Sequence, residues 1–161
     1  LEQELGIHMH DAPLEQLLDG KLFLIGHGDG LGPGDHGYKF LKRVFANPLL
    51  QRLFAFIHPA WGVGLAHYFS RKSRIATGRT DERFLGKEKE MLVQYCEKML
   101  QQRAVNYFVF GHRHLPLELK LNGDTTYINT GDWVKYFSYA VYENGDMKLK
   151  HFKQSPIANS Q

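Results

Sequence analysis

The stretch Val105-Asn106-Tyr107-Phe108-Val109-Phe110-Gly111-His112-Arg113-His114 decides how this chain reads. Its first six residues carry no charge and are rich in aromatic and β-branched side chains, the pattern of a strand buried on both faces. Gly111 lets the backbone turn sharply where the strand stops. Histidines then follow at i and i+2, a spacing that in a turn can aim both rings at one place. Neutral imidazole is a good ligand for Zn, Mn, Fe, Co or Ni.

An earlier stretch repeats the arrangement. The compact apolar run Lys21-Leu22-Phe23-Leu24-Ile25 reads as a buried strand and ends in Gly26-His27-Gly28-Asp29. Five glycines fall between Gly26 and Asp35, implying close backbone approach or positive φ angles. In α/β proteins ligands gather beyond the carboxyl ends of strands. His27, His112 and His114 are therefore the candidate metal ligands. His8, His10, His36, His58, His67 and His151 lack that setting and are read as structural or unassigned.

Between the two motifs the pattern turns helical and the charge changes. From His36 to Thr80 there are eight basic residues and no Asp or Glu. The rest of the chain, with twelve basic residues against all seventeen acidic ones, carries a net charge of −5. Pro48 and Pro59 are expected to divide the segment into two or three short helices, with another over Ala66–Arg74. Phe40, Phe45, Phe54, Phe56, Trp61, Tyr68 and Phe69 supply a large aromatic surface, either packed inside or presented on an amphipathic insertion. The basic block reads as a solvated face or as a surface for phosphates or anionic lipid headgroups.

The flanking elements are simpler. Leu14–Leu18 suggests a short helix or turn after Pro13. Gly86–Arg103 predicts an amphipathic helix with Met91, Leu92, Tyr95, Met99 and Leu100 on its apolar face. Four strands are expected at Leu117–Leu121, Thr125–Asn129, Phe137–Tyr142 and Met147–Phe152, with Asn-Gly turns closing hairpins. Asn129-Thr130-Gly131-Asp132-Trp133 is read as an Asx or type II turn without a direct role, with Trp133 a candidate wall of the site. Residues 154–161 read as a tail.

Bulk composition excludes several classes. The single cysteine, Cys96, permits neither an intrachain disulfide framework nor a cysteine zinc cluster, so a reducing compartment is expected. No apolar run reaches the ~18 residues of a spanning helix. The first residues resemble neither a signal peptide nor a methionine start, so residues are expected upstream.

Gly111-His112-Arg113-His114 resembles the Gly-His-x-His signature of calcineurin-like metallophosphoesterases, and Gly26-His27 resembles the lone histidine that precedes it in their motif order. Gly26-His27-Gly28-Asp29, then Asp35 and Tyr38, a basic helical insertion, and Leu115-Pro116 after the second motif narrow the resemblance. It is then to the UDP-2,3-diacylglucosamine diphosphatases and covers roughly Leu22 to Phe152. The resemblance implies an α/β fold, the C-terminal part of an αββα sandwich with a helical lid insertion, about residues 36–80, after the first strand. Residues 1–161 would be a single partial domain.

It also implies a hydrolase of lipid A biosynthesis that splits UDP-2,3-diacylglucosamine into lipid X and UMP with two divalent metal ions, Mn²⁺ by expectation. His27 and His112 would bind one ion and His114 the other, with His112 also touching phosphate in catalysis. Asp35, Ser73, Arg74, Thr77, Arg79 and Thr80 match substrate-binding positions. The implied partners are the lipid-linked nucleotide, the inner-leaflet membrane surface and the missing N-terminal segment; nucleic acid is not an expected partner. The implied location is cytoplasmic, peripheral on the inner membrane.

The family's first metal motifs, Asp-x-His and Gly-Asn-His, do not occur, and every Gly-Asp falls later in the chain than the family's. The fragment alone is therefore expected to be inactive, because three imidazoles cannot offset two divalent cations. Two alternatives stay open: a metallophosphoesterase with another substrate, or a non-catalytic basic module that binds lipid or nucleic acid.

Overall fold

A computed structural model describes residues 2–10, 12–33, 36–77 and 83–152, without the side chains of Glu2, Gln3, Tyr38 and of residues 72–77. After a short helix α1 (Glu2–Leu5), strands β1 (Leu14–Leu18) and β2 (Lys21–Gly26) form an antiparallel hairpin. Helices α2 (His36–Ala46), α3 (Pro48–Ala55) and α4 (Pro59–Thr77) follow. A 3₁₀ turn (Lys87–Lys89) leads into α5 (Met91–Leu100). Strands β3 (Tyr107–Phe110), β4 (Pro116–Lys120), β5 (Thr126–Thr130), β6 (Ser138–Glu143) and β7 (Asp146–His151) complete the chain.

Five strands make one mixed sheet in the order β1-β2-β3-β5-β4. Its centre, β2-β3-β5, is parallel, and β1 and β4 join antiparallel at the edges. The central strands are buried on both faces, which explains their unbroken apolar runs. Leu24, Phe108, Phe110 and Tyr127 pack with Leu92, Val93 and Cys96 of α5. The alternate residues Phe23, Tyr107, Val109 and Ile128 pack with Met147, Tyr142 and Leu149 of the separate β6–β7 hairpin. Phe23 stacks on Tyr107 at 4.7 Å and meets Tyr142 edge-on at 4.9 Å. The molecule is a mixed α/β sandwich: helix, five-stranded sheet, two-stranded sheet.

Several expectations need correcting. Leu14–Leu18 is a strand, not a helix or turn. It is exposed along its whole length, so burial left no period in the sequence, but Asp19-Gly20 marks the hairpin. Both turn residues take positive φ, 49° and 74°, as a two-residue hairpin turn requires. The helical segment consequently follows the second strand. The helix expected over Gly86–Arg103 is shorter, because the 3₁₀ turn and a non-helical Glu90 (ψ 107°) precede it. Its buried face is Leu92, Val93 and Cys96, with Met91 exposed. Ala66–Arg74 lies inside one continuous helix from Pro59.

The prolines do divide the helical segment. Asn47 caps α3 with its Oδ1 accepting from the N–H groups of Leu49 and Leu50, and Pro48 takes the first turn. The seven aromatics Phe40, Phe45, Phe54, Phe56, Trp61, Tyr68 and Phe69 are all exposed, Phe56 at 87% and Trp61 at 77%. An exposed apolar surface of that size marks an interaction site.

Candidate metal and phosphate site

The sheet register builds the site. Gly26 pairs with Phe110 across β2 and β3, so the residues after them, His27 and Gly111, leave the sheet side by side. Gly111 N–H donates to the His27 carbonyl at 3.0 Å. Phe110 in turn pairs with Asn129 of β5, so Gly131-Asp132 emerges at the same edge. Three parallel strands thus deliver His27, the His112–His114 loop and Asp132 to one end of the sandwich.

The rings of His27 and His112 meet edge-on with centroids 5.2 Å apart. His112 sits at φ 61°, a left-handed conformation that costs a non-glycine residue about 1–2 kcal/mol. Such strain persists where surrounding contacts impose it. Asn129, fully buried, supplies one of them: its Nδ2 donates to the Gly111 carbonyl at 2.5 Å and its Oδ1 accepts from Gly131 N–H at 3.0 Å. The glycine loop lines a small cavity beside His112. A Cβ on Gly32 would fall 2.5 Å from Met91 Cβ, so only glycine lets the loop lie on the first turn of α5. Lys39 donates to the Gly32 carbonyl and Lys42 pairs with Asp29 at 2.9 Å, tying α2 to the loop.

His114 is exposed, and its Nδ1 lies 3.6 Å from Asp132 Oδ2. The other oxygen of Asp132 accepts from the N–H groups of Val134, Lys135 and Tyr136. The Lys135 N–H foremost, with those of Val134 and Tyr136 and the His114 charge, holds this carboxyl below the ordinary carboxylate range despite desolvation. The Asx turn expected here is present, but Asp132 also faces His114, which the sequence reading did not include. The available signal was a Gly-Asp just past the end of a strand neighbouring the His-x-His strand. Trp133 is half-exposed and packs on Phe137, Tyr139 and Phe152.

Asp35, Arg79 and Thr80 lie outside the described residues. Ser73, Arg74 and Thr77 belong to the backbone of α4, with their side chains outside the description. Among the described residues, no group of three or more His, Cys, Asp or Glu side chains gathers closely enough to hold a metal ion. Two imidazoles binding one ion at about 2.1 Å would have centroids about 4.5–5.3 Å apart. The His27–His112 pair, at 5.2 Å, fits one corner of a metal centre and not a whole one.

No family model matches the chain. Curated relatives do. A UDP-2,3-diacylglucosamine hydrolase of Porphyromonas gingivalis is 34% identical across 93% of this chain and 62% of its own length. One from Serratia proteamaculans is 31% identical over 78% of the chain and 52% of its own length. One from Klebsiella pneumoniae is 28% identical over 86% and 58%. The chain is a homologue of UDP-2,3-diacylglucosamine hydrolases. That name implies the calcineurin-like superfamily, in agreement with the Gly-His-x-His motif. The chain spans just over half the length of these hydrolases.

Proposed function

We propose that the complete protein hydrolyses the pyrophosphate bond of UDP-2,3-diacylglucosamine, releasing UMP and the acylated sugar phosphate lipid X. The observation that carries the reading is the His27–His112 pair, 5.2 Å apart at the ends of two adjacent parallel strands, in a chain homologous to hydrolases of that name. Two divalent ions, Mn²⁺ by expectation, would supply Lewis-acid activation of water and neutralise phosphate charge. His27 and His112 would hold one and His114 the other, its far nitrogen steadied by Asp132. The remaining carboxylate ligands would come from an upstream segment of the same domain.

Substrate binding falls to the helices between β2 and α5. Their basic residues would face the phosphates; Asp35, Ser73, Arg74, Thr77, Arg79 and Thr80 are the proposed headgroup contacts. The exposed aromatic and leucine side chains of α3 and α4 would take the acyl chains, and at ~25 cal/mol per Å² of apolar area such burial can dominate binding. Among the described residues no helix is long and apolar enough to cross a membrane. The same apolar, basic face suits a peripheral position on the inner leaflet.

Activity of the complete protein with Mn²⁺ on acylated substrate tests this. His27→Ala should reduce kcat by at least about a hundredfold. Unchanged turnover would remove the metal role. Equal hydrolysis of acylated and deacylated substrate would reassign the enzyme to another phosphoester, and lipid or RNA binding without hydrolysis would make it a binding module.

A further inference from the structure

Arg113 stands between the two histidines of the loop yet turns away from solvent. Its Nη1 donates to Glu90 Oε2 at 2.6 Å and its Nη2 to the Arg83 carbonyl at 2.9 Å. Glu90 is 1% exposed and the Arg113 side chain 13%. One guanidinium therefore joins three pieces of chain: the histidine loop, the residue that opens α5, and the stretch returning from the helical segment. The backbone at Arg113 is tight as well, its N–H donating to the Gly111 carbonyl at 2.7 Å around the left-handed His112.

Stability alone does not account for such a pair. A buried ion pair loses about as much in desolvation as it gains, and well-packed apolar residues often replace it without penalty. Glu90 is also incompletely satisfied: among the described residues its Oε1 has no hydrogen-bond partner. It lines a cavity of about 50 Å³ together with Gly28, Gly30, Gly32, His112 and Arg113, room enough for a bridging water. The pair thus sits under the loop that must keep His112 facing His27.

We infer that Glu90 and Arg113 are positioning residues, an ion pair that clamps the histidine loop to the start of α5 and to Arg83 and so sets the His27–His112 geometry. The inference deepens the proposed function and rests on its reading of those histidines as ligands. It also makes Arg113 the physical link between the helical segment that would capture substrate and the loop that would hold metal.

The test uses the complete protein and four readouts: melting temperature, the nuclear Overhauser contact between the His27 and His112 rings, Mn²⁺ affinity, and kcat against KM. The pair replacement Glu90→Leu with Arg113→Met removes the charges together. Its melting temperature should stay within about 5 °C of wild type. The ring contact should vanish, Mn²⁺ should bind at least about tenfold more weakly, and kcat should fall similarly with KM little changed. A folded pair variant with the wild-type ring contact and Mn²⁺ affinity would overturn the inference. Should that variant not fold, Arg113→Lys decides. It keeps the charge beside Glu90 but cannot also reach Arg83 with a planar fork, so Mn²⁺ affinity should drop at least about threefold. Wild-type affinity in Arg113→Lys would overturn the inference too. A wild-type protein that shows the ring contact but hydrolyses nothing would sink the proposed reaction and leave the clamp standing.

Discussion

At Asp132 one carboxylate oxygen accepts from three backbone N–H groups while the other approaches the ring of His114. The two duties separate by substitution. Asp132→Asn keeps an acceptor for the loop but removes the charge facing the histidine; Asp132→Ala removes both. Both variants should weaken Mn²⁺ binding by the complete protein about tenfold, since a ligand histidine is steadied by an acceptor on its other nitrogen. Only Asp132→Ala should also lower the melting temperature by several degrees. Melts and metal titrations check this, and an Asp132→Asn protein with wild-type affinity would leave Asp132 a turn residue only. At this scale the sequence showed the histidines because Gly-His at a strand end is a strong local pattern. It did not show Asp132, Asn129 or Glu90, whose roles arise from strand neighbours and packing distant in the chain.

The elements divide by how far burial shaped them. The central strands and α5 are covered on at least one face, so their runs and periods carry the signal. β1 escaped because an exposed edge strand has no face to pattern, and only its Asp-Gly turn spoke for it. For α2–α4 the prolines and Asn47 placed the boundaries, but helical periodicity cannot say whether an apolar face is covered. The structure leaves Phe56 and Trp61 exposed, and that yields a prediction. Phe56→Ser with Trp61→Ser should leave the melting temperature within about 2 °C, because exposed side chains contribute little to folding. Sedimentation with phospholipid vesicles should fall at least about tenfold, given the transfer energy of two aromatic rings. Vesicle binding that survives the double change would assign these aromatics to a protein partner or to the acyl chains alone.

Taken whole, the sandwich gathers imidazoles at one end and few carboxylates to accompany them. Two divalent cations held near each other need anionic ligands to offset their repulsion, and neutral nitrogen donors do not provide that charge. Among the described residues Asp132, Asp29 and Glu90 border the histidine loops, and Asp29 is engaged by Lys42 and Glu90 by Arg113. The relatives extend well beyond the matched region, the chain covering 62% of the Porphyromonas gingivalis protein and 52% of that from Serratia proteamaculans. The aspartates of the family's Asp-x-His and first Gly-Asp motifs would supply the missing charge. Calorimetric titration of Mn²⁺ into the 161-residue chain should therefore show at most one weak site, through His27 and His112, and no hydrolysis. The complete protein should bind two ions, each at least about a hundredfold more tightly, and turn over substrate. His27→Ala should abolish the weak site in the short chain, which ties that signal to the imidazole pair and not to surface carboxylates. Hydrolysis by the 161-residue chain at a rate near that of the complete protein would mean that the histidine end carries its own charge compensation, and the division of the metal centre between two halves of the domain would fall.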